Sequence, residues 1–299
     1  MEQIGHIVVI GGGHAAGQFA DSLRRGGYTG KLSMVCAEPT IPYQRPPLSK
    51  KYLSGELPKE RLAFRPQVMV DKMNIDFILG VSATEINREQ QTITLSNNQI
   101  LDYDRLVLAT GTEPRRLNCE HPEGVHYLRT LSDVDRIQAE LKNTTNASII
   151  GGGYIGLEVA AILSNTHQVQ VFETEKRLLS RVTSETVADF LAAQHQAHHV
   201  SLKFGTRIDG FIQNQGRLKA LLTDQQEEIA TDLAIVGIGV IPQTLLADKA
   251  GLECDDGIVV DEYTRTEDPN IYAIGDCTRH PNGLVQKQIR LESVHNALE

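Results

Sequence analysis

The chain has 299 residues, a formal net charge of −9 at pH 7 and 40% hydrophobic residues. That length suits about two domains, and the acidic balance argues against a nucleic-acid surface. No apolar run approaches the ~18 residues needed to span a membrane. Met1-Glu2-Gln3 begins neither a basic region nor the apolar core of a secretion signal, so a cytoplasmic protein without a membrane partner is expected.

In chain order, the apolar run His6–Ile10 predicts a buried strand. Gly11-Gly12-Gly13-His14-Ala15-Ala16-Gly17 predicts a glycine turn opening a helix that Gly26-Gly27 stops. A second strand follows and ends at Glu38. Next comes Ile41-Pro42-Tyr43-Gln44-Arg45-Pro46-Pro47-Leu48-Ser49-Lys50, whose three prolines predict an extended segment without a regular helix. Short strands are expected at Asp76–Leu79, Thr92–Leu95 and Leu106–Ala109, the last ending in Thr110-Gly111.

After Glu113-Pro114-Arg115-Arg116 the order repeats. Ala147–Ile150 leads into Gly151-Gly152-Gly153-Tyr154-Ile155-Gly156-Leu157-Glu158, and Gln168–Glu173 closes the unit with an acid. A helix near Glu185–Gln196 is expected to face Val187, Phe190 and Leu191 inward, and strand-like runs return until Leu233–Val236 meets Gly237-Ile238-Gly239. Ile258–Asp261 and Ile271–Asp276 look like strands that rejoin the first half. The predicted fold is α/β, with two Rossmann-like domains. Residues 1–113 and 242–299 form one, and residues 114–241 form an inserted second.

Each glycine turn reads as a dinucleotide-binding fingerprint. The first glycine permits the tight turn, the second admits a pyrophosphate to the backbone, and the third position, Ala16 or Gly156, packs helix on strand. The helix N-terminus offers N–H groups and partial positive charge to phosphate. Glu38 and Glu173 lie where a carboxylate accepts ribose hydroxyls. Two such sites imply two cofactors, and a flavin with a nicotinamide is the usual pair. Cys36, Cys119, Cys254 and Cys277 form no C-x-x-C or C-x-x-x-x-C pair, which disfavours a local redox dithiol. His195, His198 and His199 have helical spacing, but no acid or cysteine cluster joins them, so no metal site is expected.

Together these residues resemble the FAD-dependent pyridine-nucleotide oxidoreductases of the glutathione-reductase superfamily, and within it the ferredoxin and rubredoxin reductases of oxygenase systems. The further markers are Pro42–Lys50, Ala109-Thr110-Gly111, Glu173 with Arg177 and Arg181, Gly237-Ile238-Gly239, Asp268-Pro269 with Ile271–Cys277, and Glu292–Ala297. The resemblance implies that Gly11, Gly13, Ala16 and Glu38 hold the ADP half of FAD. It also implies that Ala109, Thr110 and Gly111 line that site, that Asp276 accepts from the ribityl chain, and that Glu292, Ser293 and Val294 lie against the flavin ring. Arg45 and Lys50 would reach its flavin side. NADH would take Gly151, Gly153, Tyr154, Ile155, Gly156, Glu173, Gly237, Ile238 and Gly239.

Catalysis would fall to Lys50, paired with Glu158 across a domain cleft. Glu173 would select NADH by repelling a 2′-phosphate, with Lys176 and Arg177 as a counter-signal. The implied acceptor is a [2Fe–2S] ferredoxin or a rubredoxin, with the reductase a monomer or homodimer feeding a dioxygenase or monooxygenase, as in aromatic hydrocarbon catabolism. Some basic residues, such as Arg115, Arg116 and Lys51, could meet an acidic carrier. Family members continue into a further C-terminal interface domain, and the resemblance leaves that domain absent as an expectation for this chain. Peroxidase, NADH oxidase and coenzyme A-disulfide reductase would want a cysteine near residues 40–45, where none stands. A monodehydroascorbate-reductase-like enzyme and an apoptosis-inducing-factor-like NADH sensor remain alternatives.

Overall fold

The computed structural model describes residues 4–298, so the expectation that Met1-Glu2-Gln3 begins no secretion signal lies outside the described residues. The chain forms two compact units. The chain up to Gln44, Glu60–Glu113 and the chain from Ile241 onward make the first; Arg45–Lys59 and Pro114–Val240 make the second.

The first unit is built on a five-stranded sheet in the order Ile271–Ala273, Arg105–Leu108, His6–Ile10, Lys31–Cys36, Asp76–Leu79. Every pairing is parallel, so both faces must be covered. The alternation of side chains along a strand does this. Val8, Ile10, Leu106 and Leu108 enter one apolar cluster, and Ile7, Val9, Val107 and Ala109 enter the other. Helix His14–Arg25 covers the second face with Ala16 and Ala20. An antiparallel ribbon, Ala83–Asn87, Thr92–Leu95 and Ile100–Asp102, packs Ile86, Ile93, Leu95 and Leu101 onto the first.

The second unit repeats the plan. Its sheet runs Val200–Phe204, Gln168–Glu173, Asn146–Ile150, Leu233–Val236, Val125–Tyr127, again all parallel. Helix Tyr154–Leu163 buries Val159, Ala160 and Leu163. The matching ribbon is Ile208–Asn214, Arg217–Thr223 and Glu228–Ala230. One strand breaks the parallel between the halves: the fifth comes last in the first unit, at Ile271–Ala273, and first in the second, at Val125–Tyr127. In both sheets the strand order reverses beside the fingerprint strand, at the switch point where open α/β sheets bind ligands.

Two expectations are corrected. Helix Glu185–Ala197 does not bury Val187 and Phe190, which are 46% and 62% exposed. Its inward stripe is Ala188, with Leu191 and Ala192 packed against Leu157, Leu178 and Leu179. Apolar residues occupy more than one side of this helix, and the smaller i, i+3, i+4 set won the contact. The proline segment is also not extended throughout, because Pro46–Ser49 closes a 3₁₀ turn. Proline fits the first helical positions, where its missing N–H is not needed.

Among the described residues no helix is long and apolar enough to cross a membrane. Nor does any group of three His, Cys, Asp or Glu residues gather for a metal. His198 caps the end of its helix, and His199 takes a positive φ of 63°.

Candidate nucleotide-binding sites

The first cradle begins where the central strand ends. The Gly11 N–H donates to the Val35 carbonyl at 2.9 Å, and the Gly17 N–H to the Gly13 carbonyl at 3.0 Å. Gly11 has φ +132°, and a Cβ there would lie 2.1 Å from the Ala109 oxygen, so both conformation and space demand glycine. Gly13 differs. Its φ of −92° suits any residue, and a Cβ would meet nothing within 4 Å. Nothing within the chain requires glycine at 13. A pyrophosphate approaching the backbone would, and the helix start beside it has no side-chain cap, so its N–H groups suit an anion.

Around this turn the first unit assembles most of the residues the sequence nominated. Ala109 donates its N–H to the Ile10 carbonyl at 2.8 Å, and Thr110 Oγ1 donates to the Gln243 carbonyl at 2.7 Å. Gly111 takes φ +65°. Gly275 approaches the fingerprint helix so closely that a Cβ would lie 2.8 Å from the Ala15 Cβ; this brings Asp276 to the helix start. Helix Val294–Leu298 packs against both the fingerprint helix and the Gly275–Cys277 turn, carrying Ser293 and Val294 to the same end. Glu292 pairs with Arg290, which also reaches Asp256 at 3.3 Å. The Glu38 carboxylate accepts the Tyr43 hydroxyl at 2.6 Å.

The second cradle follows the same geometry. Gly151 donates to the Phe172 carbonyl at 2.8 Å and has φ +110°; a Cβ there would lie 2.3 Å from the Gly237 oxygen. A Cβ on Gly153 again meets nothing within 4 Å, and φ is −84°. At Gly156 a Cβ would lie 2.2 Å from the Gly151 oxygen. Tyr154 and Ile155, 58% and 39% exposed, present apolar surface beside the open glycine. Glu173 accepts the Gly152 N–H at 2.7 Å and the Glu175 N–H at 2.9 Å. Gly237 donates to the Ile150 carbonyl at 2.8 Å, Ile238 packs partly buried, and Gly239 has φ +103° with Arg181 near by. Arg177 gives its guanidinium to the Ser180 and Thr183 carbonyls at 2.9 and 3.1 Å, so it is committed to its own loop.

Lys50 and Glu158 meet within the second unit. Lys50 Nζ lies 2.6 Å from Glu158 Oε2, and the buried Ser49 hydroxyl donates to the same oxygen at 2.5 Å. The side chains are 47% and 32% exposed, so solvent screens the pair. The segment is held by Arg45 on the Arg129 carbonyl at 2.8 Å, Tyr52 on Asp135 at 2.5 Å, and Gln138 on the Tyr52 carbonyl at 2.6 Å. Arg116 stands over the Tyr127 ring at 5.0 Å. The sequence reading passed over Ser49 and Tyr43 as contacts of the key acids, although both stand in the Pro42–Lys50 stretch it had singled out.

The four cysteines are all free thiols. Burial pushes Cys36 up to about 12, with Glu38 adding to it; burial and then Asp248 do the same to Cys254, again to about 12. Burial also raises Cys277 and Cys119. None is poised as a thiolate nucleophile.

Residues 5–299 match the family model for pyridine nucleotide-disulphide oxidoreductases. Putidaredoxin reductase of Pseudomonas putida is 41% identical over 303 residues, covering 98% of this chain and 72% of that protein. Rubredoxin-NAD(+) reductase of Pseudomonas putida is 36% identical over 295 residues, covering 98% and 77%. The structure of a covalent putidaredoxin reductase–putidaredoxin complex superposes with a TM-score of 0.94 at 39% identity, covering 98% of this chain and 72% of that one. With nearly its whole length matched by family model, sequence and structure alike, the chain belongs to the pyridine nucleotide-disulphide oxidoreductase family.

Proposed function

We propose that this chain carries electrons from NADH through FAD to a one-electron iron–sulfur carrier, a [2Fe–2S] ferredoxin or a rubredoxin, that serves an oxygenase in the cytoplasm. The carrying observation is the pairing of two glycine cradles, each with an open second glycine, with cysteines that are free, protonated thiols. Two nucleotides are accommodated, and no dithiol is offered as an exit for the electrons. The names of the relatives, reductases of putidaredoxin, rhodocoxin and rubredoxin, point to the same kind of acceptor.

FAD, when bound, supplies the conversion of a two-electron donor into one-electron transfers. The chain's own residues do the rest. Gly11, Gly13 and the N-terminus of helix His14–Arg25 would hold its pyrophosphate, and Glu38 its adenosine ribose. Ala109–Gly111, Asp276 and Glu292–Val294 would line the remainder, so the first unit is the FAD-binding one. Gly151, Gly153, Tyr154, Ile155, Gly156 and Gly237–Gly239 would hold NADH in the second, and Glu173 would accept from its ribose. With Arg177 bound to loop carbonyls, the arginine that counted against NADH in the sequence is already engaged, which supports a preference for NADH. Lys50, fixed by Glu158 and indirectly by Ser49, would place positive charge beside developing negative charge.

The test is an acceptor panel on purified, FAD-loaded protein. NADH should reduce cytochrome c rapidly only when a ferredoxin or rubredoxin is added, and NADPH should do so poorly. Slow turnover with every acceptor, beside a long-lived charge-transfer band, would overturn the electron-transfer reading.

A further inference from the structure

The Glu38 carboxylate sits at the end of the second strand, on a side chain with three rotatable bonds, and the Tyr43 hydroxyl donates to its Oε2 at 2.6 Å. From this we infer that Tyr43 is a positioning residue for the first cradle, aiming Glu38 at the adenosine ribose of FAD. The inference rests on the assignment of FAD to that cradle. The distance is that of a charge-assisted O–H···O⁻ bond. The phenol takes one of about four lone-pair sites on the carboxylate, so a ribose diol can use the same group.

The ring is placed by more than this bond. Tyr43 is 5% exposed and bridges Ala63 in antiparallel fashion. On either side, the Gln44 N–H donates to the Leu62 carbonyl at 2.8 Å and the Phe64 N–H to the Pro42 carbonyl at 3.2 Å. That paired strip is tied to the fingerprint helix. Arg65 donates to buried Asp21 at 2.8 Å, Phe64 stands edge-on to the His14 ring at 5.8 Å, and a Cβ on Gly17 would lie 3.0 Å from Phe64. The hydroxyl therefore reaches Glu38 from a frame built on the same helix whose N-terminus faces the phosphates. The second cradle uses a different device. Glu173 is held by the backbone N–H groups of Gly152 and Glu175 and by the hydroxyl of its neighbour Thr174 at 3.1 Å, all lying in the glycine turn or next to the acid itself.

A carboxylate held in this way loses less freedom when ribose binds. Tyr43→Phe removes one oxygen, keeps the ring, and should raise the Kd for FAD of the apoprotein about three- to tenfold. The titration is followed by flavin fluorescence on wild type, Tyr43→Phe, Glu38→Ala and the double variant, with the melting temperature of each apoprotein measured alongside. In the Glu38→Ala background the Tyr43→Phe change should have no further effect. The proposal is overturned if Tyr43→Phe binds FAD as tightly as wild type. It is equally overturned if the loss persists undiminished without Glu38, or follows an equal fall in melting temperature, since either assigns Tyr43 a merely structural role. A wild-type apoprotein that takes up no FAD overturns the cradle assignment itself, which the wild-type arm reports separately.

Discussion

The two cradles share a backbone plan and differ at the third fingerprint position, which is Ala16 in the first and Gly156 in the second. The difference is one of approach distance. Ala16 is fully buried with its methyl group accommodated, and the tight contact has moved to Gly17, against Phe64. At Gly156 the space is closed by backbone, because the Gly151 oxygen lies 2.2 Å from where a Cβ would stand. One motif position therefore tolerates a methyl group in one half and excludes it in the other, and the consensus pattern alone does not say which.

The sharpest way to break this comparison is to exchange the residues. Gly156→Ala should cost about 3 kcal/mol, at the upper end of overpacking effects, because no flexible side chain can yield. NADH affinity should fall with it, by tenfold or more, while FAD content stays near wild type. Ala16→Gly should cost less, about 2 kcal/mol, through helix propensity and a lost buried methyl group, each about 1 kcal/mol. Urea unfolding and calorimetric titration of both nucleotides would check the pair. Equal costs at the two sites would show that the approach distances do not govern the motif.

The next largest effect belongs to the first unit alone. Asp21 is 6% exposed and carries two guanidinium groups, Arg25 at 2.7 Å and Arg65 at 2.8 Å. The Arg65 hydrogen bond foremost, then charge from Arg65 and Arg25, holds its carboxyl below the usual range against the opposing effect of burial. A depressed carboxylate contributes stability that is present above its unfolded pKa of ~3.9 and is lost as pH falls through the folded value. Asp21→Asn should therefore lower stability at pH 7 by about 2 kcal/mol. It should also flatten the loss of stability below pH 4. Coincident acid-unfolding curves for variant and wild type would remove Asp21 from the account.

How the sequence disclosed the fold follows from where each signal lies. Parallel strands buried on both faces read as unbroken apolar runs, so His6–Ile10 and Ala147–Ile150 were legible, and the glycines placed the helix starts. The helix at 185–197 was misjudged because its apolar residues do not form one stripe. Val187 and Phe190 outrank Ala188 in hydrophobicity, yet Ala188 is the residue against the core. Contacts made across long separations left no periodic trace. Ser49 on Glu158 spans 109 positions, and nothing in the local pattern of Leu48-Ser49-Lys50 marks that hydroxyl as a partner. That Lys50 and Glu158 belong to one compact unit likewise depends on Tyr52 and Arg45 docking on the helix Leu131–Leu141 and its approach.

Smaller still is the effect expected at Glu173. Glu173→Ala removes the proposed ribose acceptor and also frees the Gly152 N–H, so it should narrow the preference for NADH over NADPH about tenfold, the equivalent of 1.4 kcal/mol. Steady-state kcat/KM for both nucleotides reads this directly, and unchanged ratios would dissociate Glu173 from nucleotide choice. The matching Glu38→Ala should leave that ratio alone and weaken FAD retention, which separates the acids by ligand.

The smallest effect concerns a pair of acids that repeat without belonging to the fingerprint. Asp104, just before the return strand of the first unit, accepts the Gly5 and His6 N–H groups at 2.7 Å each. Asp232 does the same in the second, accepting from Thr145 at 3.0 Å and Asn146 at 2.9 Å. Each staples the return strand to the start of the central one, and these backbone bonds hold both carboxyls below their usual range. Asparagine retains a carbonyl oxygen, so Asp→Asn removes the charge and leaves one acceptor. Asp104 is exposed and screened, and its variant should lose well under 1 kcal/mol. Asp232 is half-buried and should lose about 1 kcal/mol. Hydrogen exchange can resolve changes of that size by location. Asp104→Asn should speed exchange at Gly5 and His6 only, and Asp232→Asn at Thr145 and Asn146 only. Cross-effects between the two sets would contradict a repeat in which each half fastens its own sheet.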